Sequence, residues 1–312
     1  MKSEKEKEEK GDVLNIMTLT KRLLIVFIVI FVTGSLQPVF SWSRDGHCIV
    51  SEAAIKNLPP GMKFFGKNIK FINRHIMDPD ARKGEDPGES PRHWLDLEYF
   101  GSYPFKKLFK FSQPPPEEDY EIRSGKLPWA IIETLDELTV AMEDDEEKDI
   151  LLLTADLGHY VGDGAVPFHT TENFDGQFSR NSGIHGRFES ELIKRYGGTV
   201  KIDTFSVVYV TDPLKFIFEY LIDSHSRVDK ILKADNKCCW EPGIYDGYYY
   251  DRMWGELEGL VNICFQKGAF AFASLLYTAR INAEKNIKRA ETLKNEQEQK
   301  STETFKTNGK KK

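Results

Sequence analysis

Five side chains that can bind metal ions lie in one short stretch of this chain of 312 residues. The segment HYVGDGAVPFH supplies His159, Asp163 and His169, and the later segment HGRFE supplies His185 and Glu189. Imidazoles and carboxylates are zinc ligands, and one ion needs several of them within about 2 Å of a single point. Because the chain has only seven histidines, this density predicts a polynuclear zinc site.

The spacing of these residues indicates how the backbone would present them. His159 and Asp163 are four positions apart, as are His185 and Glu189, so on a helix each pair projects from one face. The run DILLLTADLGHYVGD has helical apolar spacing and places the first pair inside a helix. The glycine and proline of GAVP then predict a turn that returns His169 to the same cluster.

Two further histidines stand in motifs that resemble a known family. His47 ends WSRDGH, directly after a hydrophobic segment, and His93 begins HWLD, downstream of the acidic IMDPDAR. Together with HYVGDGAVPFH and HGRFE, these motifs resemble the zinc-dependent phospholipase C and single-strand-specific nuclease superfamily. The resemblance implies an all-α fold, a single-domain helical bundle, that binds three zinc ions and hydrolyses phosphodiesters.

The resemblance also implies a set of ligands. The first zinc site would use Asp78, His93, His159 and Asp163; the second, His169, His185 and Glu189; the third, the amine and carbonyl of Trp42, with His47 and a bridging Asp163. Asp78 would also be catalytic and would orient or deprotonate the attacking water. Asp80 is the alternative ligand. Asp78 is preferred because it lies 15 positions before His93, which suits the family better than the 13 positions between Asp80 and His93.

Trp42 offers its amine to zinc only if the chain is cut directly before it. Residues 1–41 have the features of a signal peptide: a basic region, the ten apolar residues 23–32, and small Val39 and Ser41 at positions −3 and −1. Ten residues are too few to cross a hydrocarbon core about 30 Å thick as a helix. We therefore expect an exported protein, secreted or periplasmic. An uncleaved leader that anchors the chain in a membrane is the alternative.

The motifs favour a phospholipid over a nucleic acid as substrate. The segment between His169 and His185 is shorter than the nuclease branch usually has, and the last pair ends in Glu189 instead of aspartate. The net charge of −6 indicates no broad basic surface for nucleic acid. We expect phospholipase C-like cleavage of head groups, with a single-strand-specific nuclease as the alternative. No stable protein partner is implied, and the protein could contact a membrane peripherally.

Two residues beside His93 are candidates for substrate contacts. Trp94 could hold a base by stacking or a quaternary ammonium by cation–π attraction, and could equally be a core residue. Asp96 could orient a ligating imidazole or contact substrate, and could equally be a surface carboxylate. A different class of function, a membrane-anchored and non-catalytic metal-binding protein, would follow from a retained leader. The complete set of ligands argues against it.

The elements that position these residues are predicted to be helices. One helix is expected at 45–58, a second begins at Pro128, and a third begins in the acidic run 143–149 and continues to His159 and Asp163. A fourth begins at Pro213, where Asp212 is the expected N-cap. A final helix is expected at 254–294, with a kink at Gly268. Residues 99–127 predict a long loop that could cover the site. Only FSVVYV, at 205–210, resembles a strand, and it could be an extended connector.

The chain therefore divides into three parts. Residues 1–41 are the predicted signal peptide, 42–294 a zinc hydrolase domain, and 295–312 a lysine-rich tail whose composition predicts disorder. The four cysteines predict no further metal site, because none has Cys-x-x-Cys spacing.

Overall fold

Helices dominate the structure. The computed structural model describes residues 43–115 and 124–308, with side chains as far as residue 298. Within these ranges the chain contains no β-strand and a single β-bridge, between Leu95 and Gly125, so the predicted all-α fold is confirmed. The α-helices are α1 (Arg44–Lys56), α2 (Lys63–Lys67), α3 (Ile69–His75), α4 (Asp78–Arg82), α5 (Leu127–Glu143), α6 (Glu147–Ala165), α7 (Ile184–Gly186), α8 (Leu192–Tyr196), α9 (Pro213–His225), α10 (Val228–Cys238) and α11 (Gly247–Asn308).

Shorter helical turns connect several of these helices. The 3₁₀ turns are Pro60–Met62, Ser90–His93, Leu97–Phe100, Leu108–Lys110, Pro167–Thr170 and Gly197–Thr199, and Arg187–Glu191 forms a π-helix between α7 and α8. The helix predicted from Pro128 begins at Leu127, and the one predicted from the acidic run begins at Glu147. The Asp212 carboxylate accepts a hydrogen bond from the Lys215 amide at the start of α9, as expected of the predicted cap.

The long helix α11 is the centre of the fold. It packs against α1, α5, α6 and α10, and its inner face carries fully buried side chains such as Phe265 and Phe272. Part of α11 is apolar enough to cross a membrane by composition, yet 61% of that stretch is buried inside the protein, as in a core helix. Gly268 does not interrupt the helix: a Cβ there would lie 3.0 Å from the Ala165 Cβ, so glycine allows α11 to approach α6 closely.

The segment predicted as a strand or connector is a connector that runs along α11. Several backbone amides of residues 201–210 find partners in side chains spaced along one face of that helix, instead of in a second strand. The amides of Lys201, Asp203, Val208 and Val210 donate to the side chains of Asn262, Gln266, Ser274 and Thr278, in that order.

The end of the chain differs from its prediction. The sequence placed the end of the last helix near Lys294 and predicted a disordered tail, whereas the backbone is helical as far as Asn308. The run after residue 294 is rich in Glu, Gln and Lys, which favour helix even where few apolar residues can pack. The proposed signal peptide and Trp42 lie outside the described residues.

Candidate metal centre

Helix α6 carries the first predicted pair, and both side chains are fully buried. His159 and Asp163 lie four residues apart on one face of α6, as the spacing predicted. That face is crowded: a Cβ on Gly162 would lie 2.5 Å from Nδ1 of His47, which comes from α1. Glycine at this position is what lets α1 bring its histidine against α6.

Histidine and carboxylate side chains form three groups whose ligand atoms lie close enough to hold a metal ion. The groups are His47, His159 and Asp163; Asp80, His93 and His159; and His169, His185 and Glu189. The first two groups share His159. The structure therefore brings together seven of the predicted ligands, namely His47, His93, His159, Asp163, His169, His185 and Glu189.

Hydrogen bonds fix the orientation of the imidazoles in the second group. Nδ1 of His159 donates to the Ile76 carbonyl over 2.8 Å, and Nε2 of His93 donates to Glu89 over 3.2 Å. The remaining ring nitrogens, Nε2 of His159 and Nδ1 of His93, face each other 3.1 Å apart. A divalent cation between the rings could accept a lone pair from each of these nitrogens.

Carboxylate oxygens surround the same point. Asp163 Oδ2 lies 2.9 Å from His93 Nδ1 and 3.5 Å from His159 Nε2, and Asp80 Oδ1 lies 3.6 Å from each of those nitrogens. On its other side, Asp163 Oδ1 lies 3.4 Å from His47 Nε2. Asp163 thus reaches two groups with its two oxygens, in the bridging position that the resemblance implied for it.

The structure brings Asp80 to this cluster in place of Asp78. The Asp80 side chain is 9% exposed and points at the histidines, whereas Asp78 is 45% exposed and its carboxylate accepts from Nδ1 of His75 over 2.7 Å. The two residues sit on the five-residue helix α4, where positions two apart face nearly opposite directions, so only one can point inward. The preference for Asp78 from spacing is therefore corrected by the geometry.

The third group is built on two short turns. His169 lies in the 3₁₀ turn after α6, and its Nδ1 donates to the His93 carbonyl over 2.7 Å, which ties it to the second group. Nε2 of His185 lies 2.8 Å from Glu189 Oε2, and Nε2 of His169 lies 3.4 Å from the same oxygen. His185 lies on α7 and Glu189 on the π-helix that follows it, whose turns are wider than those of an α-helix.

A buried ion pair anchors that π-helix. Nη2 of Arg187 donates to the Asp235 carboxylate of α10 over 3.0 Å, and both side chains are almost fully buried. The Tyr249 hydroxyl also donates to Asp235, and the guanidinium lies 3.8 Å from the centre of the Tyr245 ring. This support for the His185–Glu189 pair was not predicted from the sequence, since its partners come from α10, α11 and the connection between them.

Glu89 is a second residue that the sequence analysis missed. Its buried carboxylate accepts from His93 on one oxygen, where the Tyr160 hydroxyl also donates, and from Nε of Arg82 over 3.2 Å on the other. A carboxylate behind a histidine orients the ring and raises its basicity as a ligand. The signal was present: Glu89 and His93 repeat the four-residue spacing of the other pairs.

Burial holds the histidines of the cluster in the form that binds metal. It lowers the pKa of His47 and His169, and lowers that of His93 to about 3 and of His185 to about 4. The imidazoles are therefore neutral near pH 7, as ligation requires. Burial also raises the pKa of Glu189 to about 7, and, with Asp80 nearby, raises the pKa of Asp163.

Asp80 behaves differently from the other two carboxylates. Burial alone would raise its pKa, but hydrogen bonding and Coulombic attraction from His159, followed by Lys83, outweigh burial and lower the pKa. Nζ of Lys83 lies 2.6 Å from Asp80 Oδ1. Asp80 is thus held as a carboxylate.

Several buried polar atoms in these groups make no hydrogen bond within the described part of the chain. They include Nε2 of His169, Nδ1 of His185, Oε1 of Glu189 and Oδ2 of Asp80. Buried polar atoms are normally satisfied, and a missing ion is one recognised reason for an exception. Together with the donor set of imidazoles and carboxylates, these atoms fit zinc ions.

Trp94 and Asp96 lie beside the centre and outside the three groups. Trp94 is partly buried and its carbonyl accepts from the Leu127 amide. Leu95, between them, donates its amide to the His169 carbonyl over 2.9 Å. Burial, then Glu98 and Glu172, raise the pKa of Asp96 to about 8. Substrate contacts of the two residues stay predictions. All four cysteines are free thiols, and none belongs to a metal group.

Comparison with solved structures supports the fold. No family model and no curated protein matches the chain. Among solved structures, the chain is similar to the alpha-toxin of Clostridium perfringens isolated from the avian strain SWCP, with a TM-score of 0.50 and 13% sequence identity. The match covers 77% of this chain, which spans 66% of the alpha-toxin chain. At this identity the likeness establishes a shared all-helical fold.

Proposed function

We propose that the protein is a zinc-dependent phosphodiester hydrolase that cleaves phospholipid head groups in the manner of a phospholipase C. The observation that carries the proposal is the set of three groups of histidines and carboxylates, of which the first two meet at His159 and Asp163. The motif resemblance and the fold shared with alpha-toxin support it. The presence of ligands in all three groups also argues against a non-catalytic protein, because a protein without activity could lose metal ligands without consequence.

The residues have separate tasks in such a reaction. His47, His93 and His159 would hold two zinc ions with Asp80 and Asp163, and the third group would hold another. Bound zinc ions lower the pKa of a water molecule and neutralise charge that builds on phosphate oxygens. Neutral imidazoles and the bridging Asp163 would fix the positions of these charges.

The catalytic role assigned to Asp78 passes to Asp80. Asp80 stays ionised beside His159 and has one oxygen, Oδ2, without a hydrogen-bond partner. It could therefore orient a water and accept its proton. Hydrolysis forms a bond between the water oxygen and phosphorus and breaks the bond from phosphorus to the glycerol oxygen. The glycerol oxygen takes up a proton, and diacylglycerol and a phosphorylated head group are released.

We further propose that the protein is exported and begins at Trp42 after cleavage of its leader. The intact mass of the exported protein, measured by native mass spectrometry, reports both the first residue and the number of bound zinc ions. We expect a start at Trp42 and three zinc ions. A retained leader with one zinc ion or none would contradict the proposal and favour the anchored, non-enzymatic alternative.

Hydrolysis of phosphatidylcholine and of single-stranded DNA by the same preparation tests the reaction. We expect cleavage of phosphatidylcholine that disappears in His159→Ala together with zinc. Cleavage of DNA alone would place the protein with the nucleases, and activity that survives His159→Ala would contradict the site.

A further inference from the structure

Two loops expose an unusual number of aromatic side chains. In the loop of residues 101–111, Tyr103 is 63% and Phe109 43% exposed; in the loop of residues 171–180, Phe174 is 41% and Phe178 71% exposed. A single exposed aromatic residue is ordinary, whereas several on neighbouring loops indicate an interaction surface.

Both loops are attached to the third metal group. In the 101–111 loop, buried Phe105 packs its ring 4.9 Å from His225, whose Nδ1 donates to the carbonyl of Thr170, the neighbour of His169. The 171–180 loop follows directly. There the Phe174 ring lies 6.5 Å from His185, whose amide donates to Asp175.

Glu98 connects the two loops. One oxygen of its carboxylate accepts from the Thr171 hydroxyl over 2.5 Å, and the other accepts from the Glu172 amide over 3.2 Å. Glu98 itself lies just before the 101–111 loop. The exposed aromatic residues of both loops therefore belong to one region beside the metal centre.

The 101–111 loop adds positive charge to this region. The 101–111 loop carries three exposed lysines, Lys106, Lys107 and Lys110, and no acidic residue, in a chain whose net charge is −6. Lysines beside a bilayer are attracted to anionic head groups, and aromatic rings partition into the boundary between head groups and acyl chains.

We propose that the 101–111 and 171–180 loops dock the protein on a phospholipid surface that contains anionic lipids, with the metal centre facing that surface. This inference rests on the proposed function, because it supplies the contact by which such an enzyme reaches its substrate. Single-stranded nucleic acid also binds lysines and aromatic rings, but it needs a continuous basic track. The three lysines lie on the 101–111 loop, and the 171–180 loop, which contains Glu172 and Asp175, does not continue them as such a track.

Flotation of the full-length protein with lipid vesicles tests the docking surface. The vesicles contain phosphatidylcholine, with or without phosphatidylserine. The aromatic variant is Phe109→Ser with Phe178→Ser, and the charge variant is Lys106→Gln, Lys107→Gln and Lys110→Gln. The control for the first is Val140→Ser, an exposed apolar residue of α5. The control for the second is Lys63→Gln, Lys67→Gln and Lys70→Gln, three exposed lysines at similar density.

We expect the aromatic variant to bind both vesicles about tenfold more weakly. The charge variant should lose binding on the order of tenfold to a hundredfold, and only to vesicles with phosphatidylserine. Both controls should bind like the wild type. Hydrolysis of a short-chain phosphatidylcholine dispersed as monomers should be the same in all five proteins, which shows that the variants are folded and that only docking has changed.

The possible failures are distinguishable. Loop variants that bind vesicles like the wild type, while monomeric substrate is still hydrolysed, overturn the docking surface and leave the proposed function intact. Loop-dependent vesicle binding by a protein that hydrolyses no phosphatidylcholine supports the surface and removes the proposed function. Loop-dependent binding of single-stranded DNA or of a second copy, without binding of vesicles, overturns the docking surface.

Discussion

Two pairs with the same sequence spacing reach the metal centre in different ways. His159 and Asp163 sit on the regular α-helix α6, whereas His185 lies on α7 and Glu189 on the π-helix that follows it, whose turn is one residue wider. The first pair meets two metal groups and the second pair only one. Two pairs with identical spacing therefore differ in backbone conformation and in the number of metal groups to which they contribute.

The two pairs also depend on different supports. Around the first pair, the Ile76 carbonyl fixes His159, Glu89 fixes His93, and Gly162 admits His47. Around the second pair, the buried Arg187–Asp235 ion pair holds the intervening turn. The His159–Asp163 pair is thus supported by close packing and by hydrogen bonds to the histidines around it. The His185–Glu189 pair is supported by one buried ion pair, whose Arg187 lies between its two residues.

The largest expected difference between the pairs is in zinc stoichiometry. Asp163→Asn should lose the ions of the first two groups, because Asp163 lies within 3.5 Å of histidines in both, while Glu189→Gln should lose the ion of the third group only. Native mass spectrometry counts the ions. Both variants should hydrolyse substrate at least about a thousandfold more slowly, since each loses charge that stabilises the transition state. Equal losses of zinc would contradict the bridging position of Asp163.

The next effect separates two aspartates beside the first pair. Asp80→Asn should weaken zinc binding to the second group and reduce kcat/KM by about two orders of magnitude, whereas Asp78→Asn should change both less than about twofold. Asp78 lies outside the cluster, paired with His75. Zinc competition with a chelator and steady-state kinetics measure the two quantities. The reverse result would restore the assignment made from spacing.

Asp78 and Asp80 show which part of the site could not be predicted from the sequence. Spacing places both pairs of ligands correctly, because His159–Asp163 and His185–Glu189 each meet across one helical turn. It could not choose between Asp78 and Asp80. On a helix of five residues the inward face is set by what packs against it, here α6, and α4 contains too few apolar residues for a pattern.

The supports of the centre were harder to predict than its ligands. A π-turn has no sequence signature separate from that of an α-helix, so the wider turn at Glu189 was not foreseen. The Asp235 that anchors it lies 48 positions away from Arg187, a contact that no local pattern encodes. The connector at 205–210 was ambiguous for a similar reason, because its hydrogen-bond partners are side chains of a distant helix.

Removal of the charged anchor should damage the second pair selectively. Arg187→Met leaves the buried Asp235 carboxylate uncompensated, which should lower the free energy of unfolding by about 3–5 kcal/mol. The third group should lose zinc first, since Arg187 lies within its turn. Chemical denaturation and zinc stoichiometry of the folded protein measure the two effects.

A matched variant and a double variant sharpen this result. Arg280→Met removes a half-exposed arginine paired with Glu284 and should cost less than about 1 kcal/mol. Arg187→Met combined with Asp235→Leu should be more stable than Arg187→Met alone, because no buried charge is left without a partner. If Arg187→Met were as stable as Arg280→Met, the anchor would not support the π-helix.

A smaller effect should follow when the carboxylate behind His93 is neutralised. Glu89→Gln keeps an oxygen that can accept from His93 but loses the negative charge, so zinc affinity of the second group should fall about tenfold to a hundredfold. Zinc in the third group should be unaffected. The control is Glu219→Gln, a 60% exposed glutamate on α9. A fall of equal size in both variants would show that Glu89 has no specific role.

The smallest expected effect compares one glycine beside each pair. Alanine usually stabilises a helical position over glycine by about 0.5–1 kcal/mol, and Gly186→Ala should do so, because nothing lies within 4 Å of the added Cβ. In Gly162→Ala the Cβ would lie 2.5 Å from the fully buried His47 ring, and such overpacking costs about 1–3 kcal/mol. Thermal denaturation with a chelator present isolates this packing cost, and zinc competition then reports the displacement of His47. If Gly162→Ala gained stability like Gly186→Ala and bound zinc normally, the first pair would not depend on close packing, and the contrast between the two pairs would rest on their charges alone.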